Sequence, residues 1–244
     1  MSTSPMTVAF LGASTGIGLA ALKHTLAAGH QCIALCRTPP KLTDILPPSS
    51  YPNLKVLQGN AHDVGAVAQL LRKESDGNIV DKVVSTIGGK PAMSTKFLDD
   101  PEVCQKGMST LLEALDQLRR QGATGRPHII VCSTTGMSKF GRDIPLAMVP
   151  LYHLMLKVPH ADKKIMEERL FASGEEFTVV QPSFLMNGES NKTIRVGIED
   201  PVRGRESTAI GYAISREDAG RWFAENLLNS KNPKYVNKIA KITW

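Results

Sequence analysis

The chain has 244 residues, 42% of them hydrophobic and 21% charged, which fits one large α/β domain or two small ones and a core that needs no staples. Its formal charge of +6 is spread along the chain without a dense basic run or interleaved aromatics. That argues against nucleic-acid binding and leaves a mild excess that either attracts an anionic ligand or belongs to solvated surface.

The first residues, MSTSPMT, carry neither a basic start nor a long apolar stretch, so we expect no signal peptide, no membrane span and a cytoplasmic protein. Residues 7–11 (TVAFL) read as a strand, 16–28 as a helix and 31–36 (QCIALC) as a second strand. The Pro- and Ser-rich segment 38–53 reads as a loop, 54–58 (LKVLQ) as a third strand, and the region near 63–73 as a helix. A fourth strand is expected over 81–87 (DKVVSTI), followed by a helix that Asp100 and Pro101 open and that runs to about Gln121. A fifth strand covers 127–134 (PHIIVCST); residues 136–159, with three prolines, read as irregular. A helix from His160 to Ser173 should stop at Gly174, and 177–182 (FTVVQP) should form a sixth strand. Residues 186–207 read as a flexible polar loop, Ser215 and Asp218 as a helix start, and 236–243 as a closing strand. This alternation predicts an α/β fold: a doubly wound parallel sheet with helices on both faces, three layers in a single domain over 1–244. Cys32, Cys36, Cys104 and Cys132 form no CxxC pair and no histidine cluster joins them, so they are expected as core thiols in a reducing compartment, with no metal.

The first strand runs straight into Gly12-Ala-Ser14-Thr15-Gly16-Ile17-Gly18 and then a helix. A glycine pattern in that context is a phosphate-binding turn. Gly12 makes the tight turn, Gly16 lets the backbone approach a pyrophosphate, and Gly18 lets the helix pack on the strand. The helix N-terminus offers free N–H groups, and Ser14 and Thr15 add hydroxyls. At the end of the second strand, where an acid would hold a ribose 2′-hydroxyl, stand Arg37 and Thr38. An arginine there suits a 2′-phosphate, so NADP(H) is expected over NAD; Arg37 is otherwise a surface residue after a strand.

The segment 12–18 resembles the opening motif of the short-chain dehydrogenase/reductase superfamily, with that family's spacing. The resemblance places Asn60 and Ala61 beside the adenine, Thr86, Ile87 and Gly88 beside the nicotinamide ribose, and Ser133 with Thr134 where the family keeps its catalytic serine. Asp162–Leu170, Ser173-Gly174, Thr178–Leu185 and Ile214–Asp218 are similar to the superfamily's atypical branch, which includes flavin and biliverdin reductases and NmrA-like proteins. In that branch Pro182, Ser183, Phe184 and Leu185 would face the nicotinamide.

The family's Tyr-x-x-x-Lys motif is absent: Tyr152 has Leu156 at the fourth position. His160-Ala-Asp-Lys-Lys164 has a histidine and a lysine at that spacing instead. Lys164 is therefore carried over as the cation that holds the ribose. His160, Tyr152 or water remains as proton donor, with Ser133 or Thr134 bonding a carbonyl. The segments 136–159 and 186–207 follow the fifth and sixth strands and would cover the substrate. The first carries Met137, Phe140, Leu146, Met148, Leu151, Leu154 and Met155, which suits an apolar small molecule, a buried loop or a partner contact. The leading expectation is an NADPH-dependent reductase of a carbonyl or conjugated compound, acting as monomer or homodimer. A non-enzymatic NADP-sensing protein and a non-redox isomerase or cyclase stand as alternatives.

Overall fold

The computed structural model describes residues 5–89, 99–230 and 233–244. Strand β1 (Thr7–Leu11) leads through helix α1 (Gly16–Ala27) to β2 (Gln31–Cys36). The segment expected as a loop then contains one short helix, α2 (Pro40–Thr43), before β3 (Leu54–Gln58) and α3 (Val64–Leu70). Next come β4 (Lys82–Ser85), α4 (Val103–Arg120), β5 (His128–Cys132), α5 (Val149–Met155), α6 (Lys157–Ala172) and β6 (Glu176–Pro182). The chain closes with β7 (Phe184–Met186), β8 (Arg195–Asp200), β9 (Gly204–Arg205), β10 (Ala213–Ser215), α7 (Arg216–Phe223) and β11 (Lys238–Thr243).

Among the described residues the main sheet runs β3-β2-β1-β4-β5-β6-β11-β8-β9. The first seven strands are parallel, and β8 and β9 extend the edge antiparallel. This is a doubly wound, Rossmann-type sheet whose order reverses at β1, so ligand space opens between the carboxyl ends of β1 and β4. Side chains alternate along each strand, and the sheet therefore supports two cores. Val8 and Phe10 pack with Ile17, Leu22, Trp222 and Phe223 from α1 and α7. Ala9 and Leu11 pack with Val67, Leu111, Leu115, Met166 and Leu170 from α3, α4 and α6. Helices α1 and α7 cross closely because α7 offers Gly220 there; a Cβ on it would lie 2.4 Å from the Ala20 Cβ.

Four expectations are corrected. The segment 186–207 is not simply a loop, because β8 and β9 lie within it and pair onto β11. The segment 136–159 holds α5, whose Pro150 sits in the first turn, where a missing N–H costs nothing. Helix α6 starts at Lys157, three residues before His160. Helix α4 starts at Val103, and Asp100 does not cap it. Its first free N–H groups, those of Cys104 and Gln105, instead donate to the buried Asp162 carboxylate of α6 at 2.9 Å each. Other starts follow the sequence: the Ser215 hydroxyl accepts from Asp218 N at 2.9 Å, and Gly174 follows α6 at φ +75°.

All four cysteines are free and buried. No described helix is long and apolar enough to cross a membrane. Among the described residues no His, Cys, Asp and Glu cluster is placed to hold a metal.

Candidate functional site

The turn after β1 is built by steric exclusion. Gly12 has φ +86°, a conformation that side chains avoid, and a Cβ on it would meet the Thr86 carbonyl carbon at 2.8 Å and the Ile87 nitrogen at 2.9 Å. A Cβ on Gly18 would lie 2.3 Å from Thr86 Oγ1 and 2.5 Å from the Gly12 carbonyl oxygen. Thr86 fastens the two strand ends together: its hydroxyl donates to the Gly12 carbonyl at 3.0 Å. Thr15 opens α1 without a side-chain cap, and no acid stands in the helix's first turn. The N–H groups that open the helix lack intrahelical partners, and with the dipole of that end they suit an anion at the turn. Arg216, at the start of α7, lies against the same turn; a Cβ on Gly16 would touch its Cδ at 3.3 Å. Its guanidinium is held by the Asn187 side chain at 2.7 Å and the Leu185 carbonyl at 3.3 Å.

From this turn a cleft of about 540 Å³ runs across the carboxyl ends of β4, β5 and β6. Of the expected residues, Gly12, Thr15, Gly16, Ile17, Gly18, Thr86, Ile87, Gly88, Ser133, Thr134, Tyr152, His160, Pro182, Ser183, Phe184 and Leu185 line it. Ser14 belongs to the turn but not to the lining. Arg37 and Thr38 stand exposed just past β2, and Asn60, exposed, and Ala61, partly buried, follow β3, outside this cleft but at the same edge of the sheet. The cleft has the form that a dinucleotide needs: a glycine cradle with no room for side chains, unpaired helix N–H groups, and an arginine beside them.

Lys164 stands beside the cleft and not in its lining. Helix α6 turns Lys163, not Lys164, into the cleft beside His160, while Lys164 lines a separate depression. Lys163 Nζ donates to the Cys132 carbonyl at 2.8 Å. Burial works against its charge, yet its pKa is raised, with the acids Glu167 and Asp162 of the same helix beside it. One turn further on, Glu167 accepts from Gln181 Nε2 at 2.9 Å beside Ser133, and burial pushes its carboxyl above the ordinary range. Cys132, in the cleft wall, is likewise pushed up by burial and stays a neutral thiol.

Tyr152 comes from α5, with its hydroxyl 3.3 Å from Thr135 Oγ1. Its ring packs over Gly136 and lies 5.8 Å, centroid to centroid, from His160. Burial above all raises its pKa, with Asp143 adding to that, so it is a neutral O–H donor rather than a tyrosinate. The loop beneath it is anchored by a buried ion cluster. Lys241 bridges Glu199 at 2.6 Å and Asp143 at 3.2 Å, Ser138 Oγ donates to Glu199 at 2.6 Å, and Gly136 N donates to Asp143 at 3.2 Å.

Past Tyr152 and His160 lies a second depression of about 560 Å³. Of the apolar residues expected to cover a substrate, Met137 lines it. Leu146 and Leu154 are instead 72% and 79% exposed, which makes them surface rather than pocket. The side chains of Leu151 and Met155 lie outside the described residues. Sequence reading missed Lys163, Arg216 and the basic character of this depression. The Ser-Arg-x-Asp segment did signal the α7 start, but its arginine was not singled out.

Residues 12–230 match the family described as NAD(P)H-binding. The chain is similar to the reductase pytE of Aspergillus terreus, 40% identical over 271 residues and covering 100% of both chains. It is also similar to the oxidase pynE of Aspergillus niger, 29% identical, covering 98% of this chain and 99% of that one. Among solved structures, a short-chain dehydrogenase/reductase from Veillonella parvula DSM 2008 in complex with NADP shares the fold. Its TM-score is 0.72 at 13% identity, over 98% of this chain and 94% of that one.

Proposed function

The chain belongs to the NAD(P)H-binding family, and on that footing we propose that it is an NADPH-dependent oxidoreductase that reduces a carbonyl or conjugated organic substrate. The observation that carries this reading is one continuous cleft joining the glycine turn to Ser133, Tyr152, His160 and Lys163. The names reductase and oxidase borne by the relatives agree with redox chemistry in either direction.

In this reading the glycine turn, the α1 N-terminus and Arg216 hold the pyrophosphate. Arg37 and Thr38 take the 2′-phosphate, and Asn60 and Ala61 border the adenine. Thr86, Ile87, Gly88 and Lys163 hold the inner ribose, with Pro182–Leu185 against the ring. The reduced nicotinamide, when bound, supplies the hydride. Ser133 or Thr134 orients the accepting carbonyl. Tyr152, as a neutral hydroxyl, or His160 hands over the proton. Lys163 takes the role expected of Lys164.

The test is titration of the chain with NADPH and with NADH, followed by nicotinamide fluorescence, and repeated with Arg37→Ala. Tighter NADPH binding that Arg37→Ala weakens about tenfold supports the reading, since a charge-assisted phosphate contact is worth roughly 1.5–3 kcal/mol. Absence of binding by either nucleotide refutes it. A second reading, an NADP sensor without turnover, is favoured by the missing Tyr-x-x-x-Lys and the raised Tyr152 pKa. Tight NADPH binding with no oxidation of NADPH across a panel of quinones and ketones would select it.

A further inference from the structure

The depression beyond the cleft has an unusual lining. Its walls include Lys139, Lys157 and Lys164, with Met137 and the rings of Tyr152 and His160. Lys157 and Lys164 are seven apart on α6 and so project from one helix face, with Ala161 between them leaving space. No carboxylate lines the depression. Glu168, one turn past Lys164, lies 3.9 Å from Lys139. Among the described residues Lys157 and Lys164 have no ion-pair partner.

Lys139 already faces Glu168, but Lys157 and Lys164 bring two ammonium groups without an acidic partner to one concavity, and an anion placed between them relieves their repulsion. The concavity has the size of a small-molecule site rather than a macromolecular surface. It also shares Tyr152 and His160 with the cleft, so a ligand seated there reaches the two candidate proton donors. Resting on the reading of the cleft as the nicotinamide site, we infer that this depression receives an organic anion. The substrate's carboxylate or acidic enolate docks on Lys157 and Lys164, its apolar body lies against Met137 and Tyr152, and its reducible carbon faces the shared wall. Lysines act as point charges without a fixed fork, so the site selects for negative charge and not for one planar acid.

The test compares binding of 2-naphthoate with that of its neutral isostere 2-naphthamide to the full chain, by calorimetry or saturation-transfer NMR. NADPH affinity is measured alongside. Preference for the acid of about tenfold, falling as salt rises, is expected from two exposed charge contacts. The double variant Lys157→Gln/Lys164→Gln should lose that preference while it keeps the NADPH affinity and melting temperature of the parent. Lys164→Glu should turn the preference towards the amide. Equal binding of acid and amide by the parent chain overturns the inference, as does a preference that survives in the double variant. Failure of the parent to bind NADPH sinks the cofactor reading instead, and the acid–amide comparison still decides the anion site.

Discussion

A methyl group added at Gly18 would sit 2.3 Å from Thr86 Oγ1 and 2.5 Å from the Gly12 carbonyl. Thr86 Oγ1 is short-stemmed and already committed to the Gly12 carbonyl, so neither neighbour can swing away. Gly18→Ala should therefore push α1 off β1 and cost about 2 kcal/mol, in the range of overpacked cores. For a chain of this size that is a fall of roughly 4–8 °C in melting temperature, with NADPH binding weakened in parallel; unchanged melting and binding would show that the turn is not rigid. Lys163 carries a second expectation. If Lys163 holds the inner ribose as proposed, Lys163→Met should weaken NADPH binding about tenfold, whereas Lys164→Gln should leave it unchanged; equal effects would mean that both lysines serve the cofactor. The sequence shows the glycine turn because its geometry is local: strand, left-handed glycine and helix follow one another within seven residues. It does not show which of two adjacent lysines faces the cleft. That depends on the phase of α6, and the helix starts three residues before the expected start at His160.

The start of α4 illustrates how elements depend on each other. Its free amides at Cys104 and Gln105 are satisfied by Asp162, 58 and 57 residues further along the chain. Removing that cap should cost about 1–2 kcal/mol, as loss of an N-cap does, and more where the amides are buried. Asp162→Ala should thus speed hydrogen exchange at the first turn of α4 and lower the melting temperature. Asp162→Asn, which keeps one acceptor, should do about half as much; exchange unchanged in Asp162→Ala would show that the cap is idle. Such a long-range cap cannot be read from local spacing, so the sequence pointed to Asp100, which accepts from Glu102 N at 3.0 Å but stands outside the helix. The same reason hid β8. Its Glu199 looks like a solvent residue but is buried and paired with Lys241 on β11, so a strand with a charged interior reads as a polar loop. By contrast, β1, β2, β5 and β6 are apolar runs buried on both faces, a pattern that local composition reveals directly.

Across the whole molecule, two histidines held neutral around a buried lysine should make stability sensitive to mild acid. Lys82 Nζ donates to the carbonyls of Leu227, Leu228 and Ser230 at 2.5, 3.2 and 3.1 Å, fixing a positive charge within the α1–α7 side of the sheet. Burial first and the Lys82 charge second lower the pKa of His30 and bring that of His128 to about 4. The His128 ring is locked in one tautomer. The Thr178 hydroxyl already donates to the Tyr235 carbonyl at 2.7 Å, so His128 Nε2, 2.9 Å from that oxygen, must be the donor. An unfolded chain takes up these protons near pH 6.5, while the folded chain resists them down to about pH 4 at His128. The contribution to stability is therefore complete above pH 6.5 and is lost progressively as pH falls towards 4. For His128 it is worth on the order of 3 kcal/mol, since each pH decade between the two values contributes about 1.4 kcal/mol. Melting temperature should then drop steadily between about pH 7 and pH 5, before ordinary carboxylates begin to titrate. His128→Gln keeps an N–H donor for Thr178 but carries no titrating group, so it should flatten most of that slope, leaving the part that His30 supplies. If parent and variant lose stability in parallel over this range, His128 is not the group that binds the proton, and the acid sensitivity has to come from the carboxylates instead.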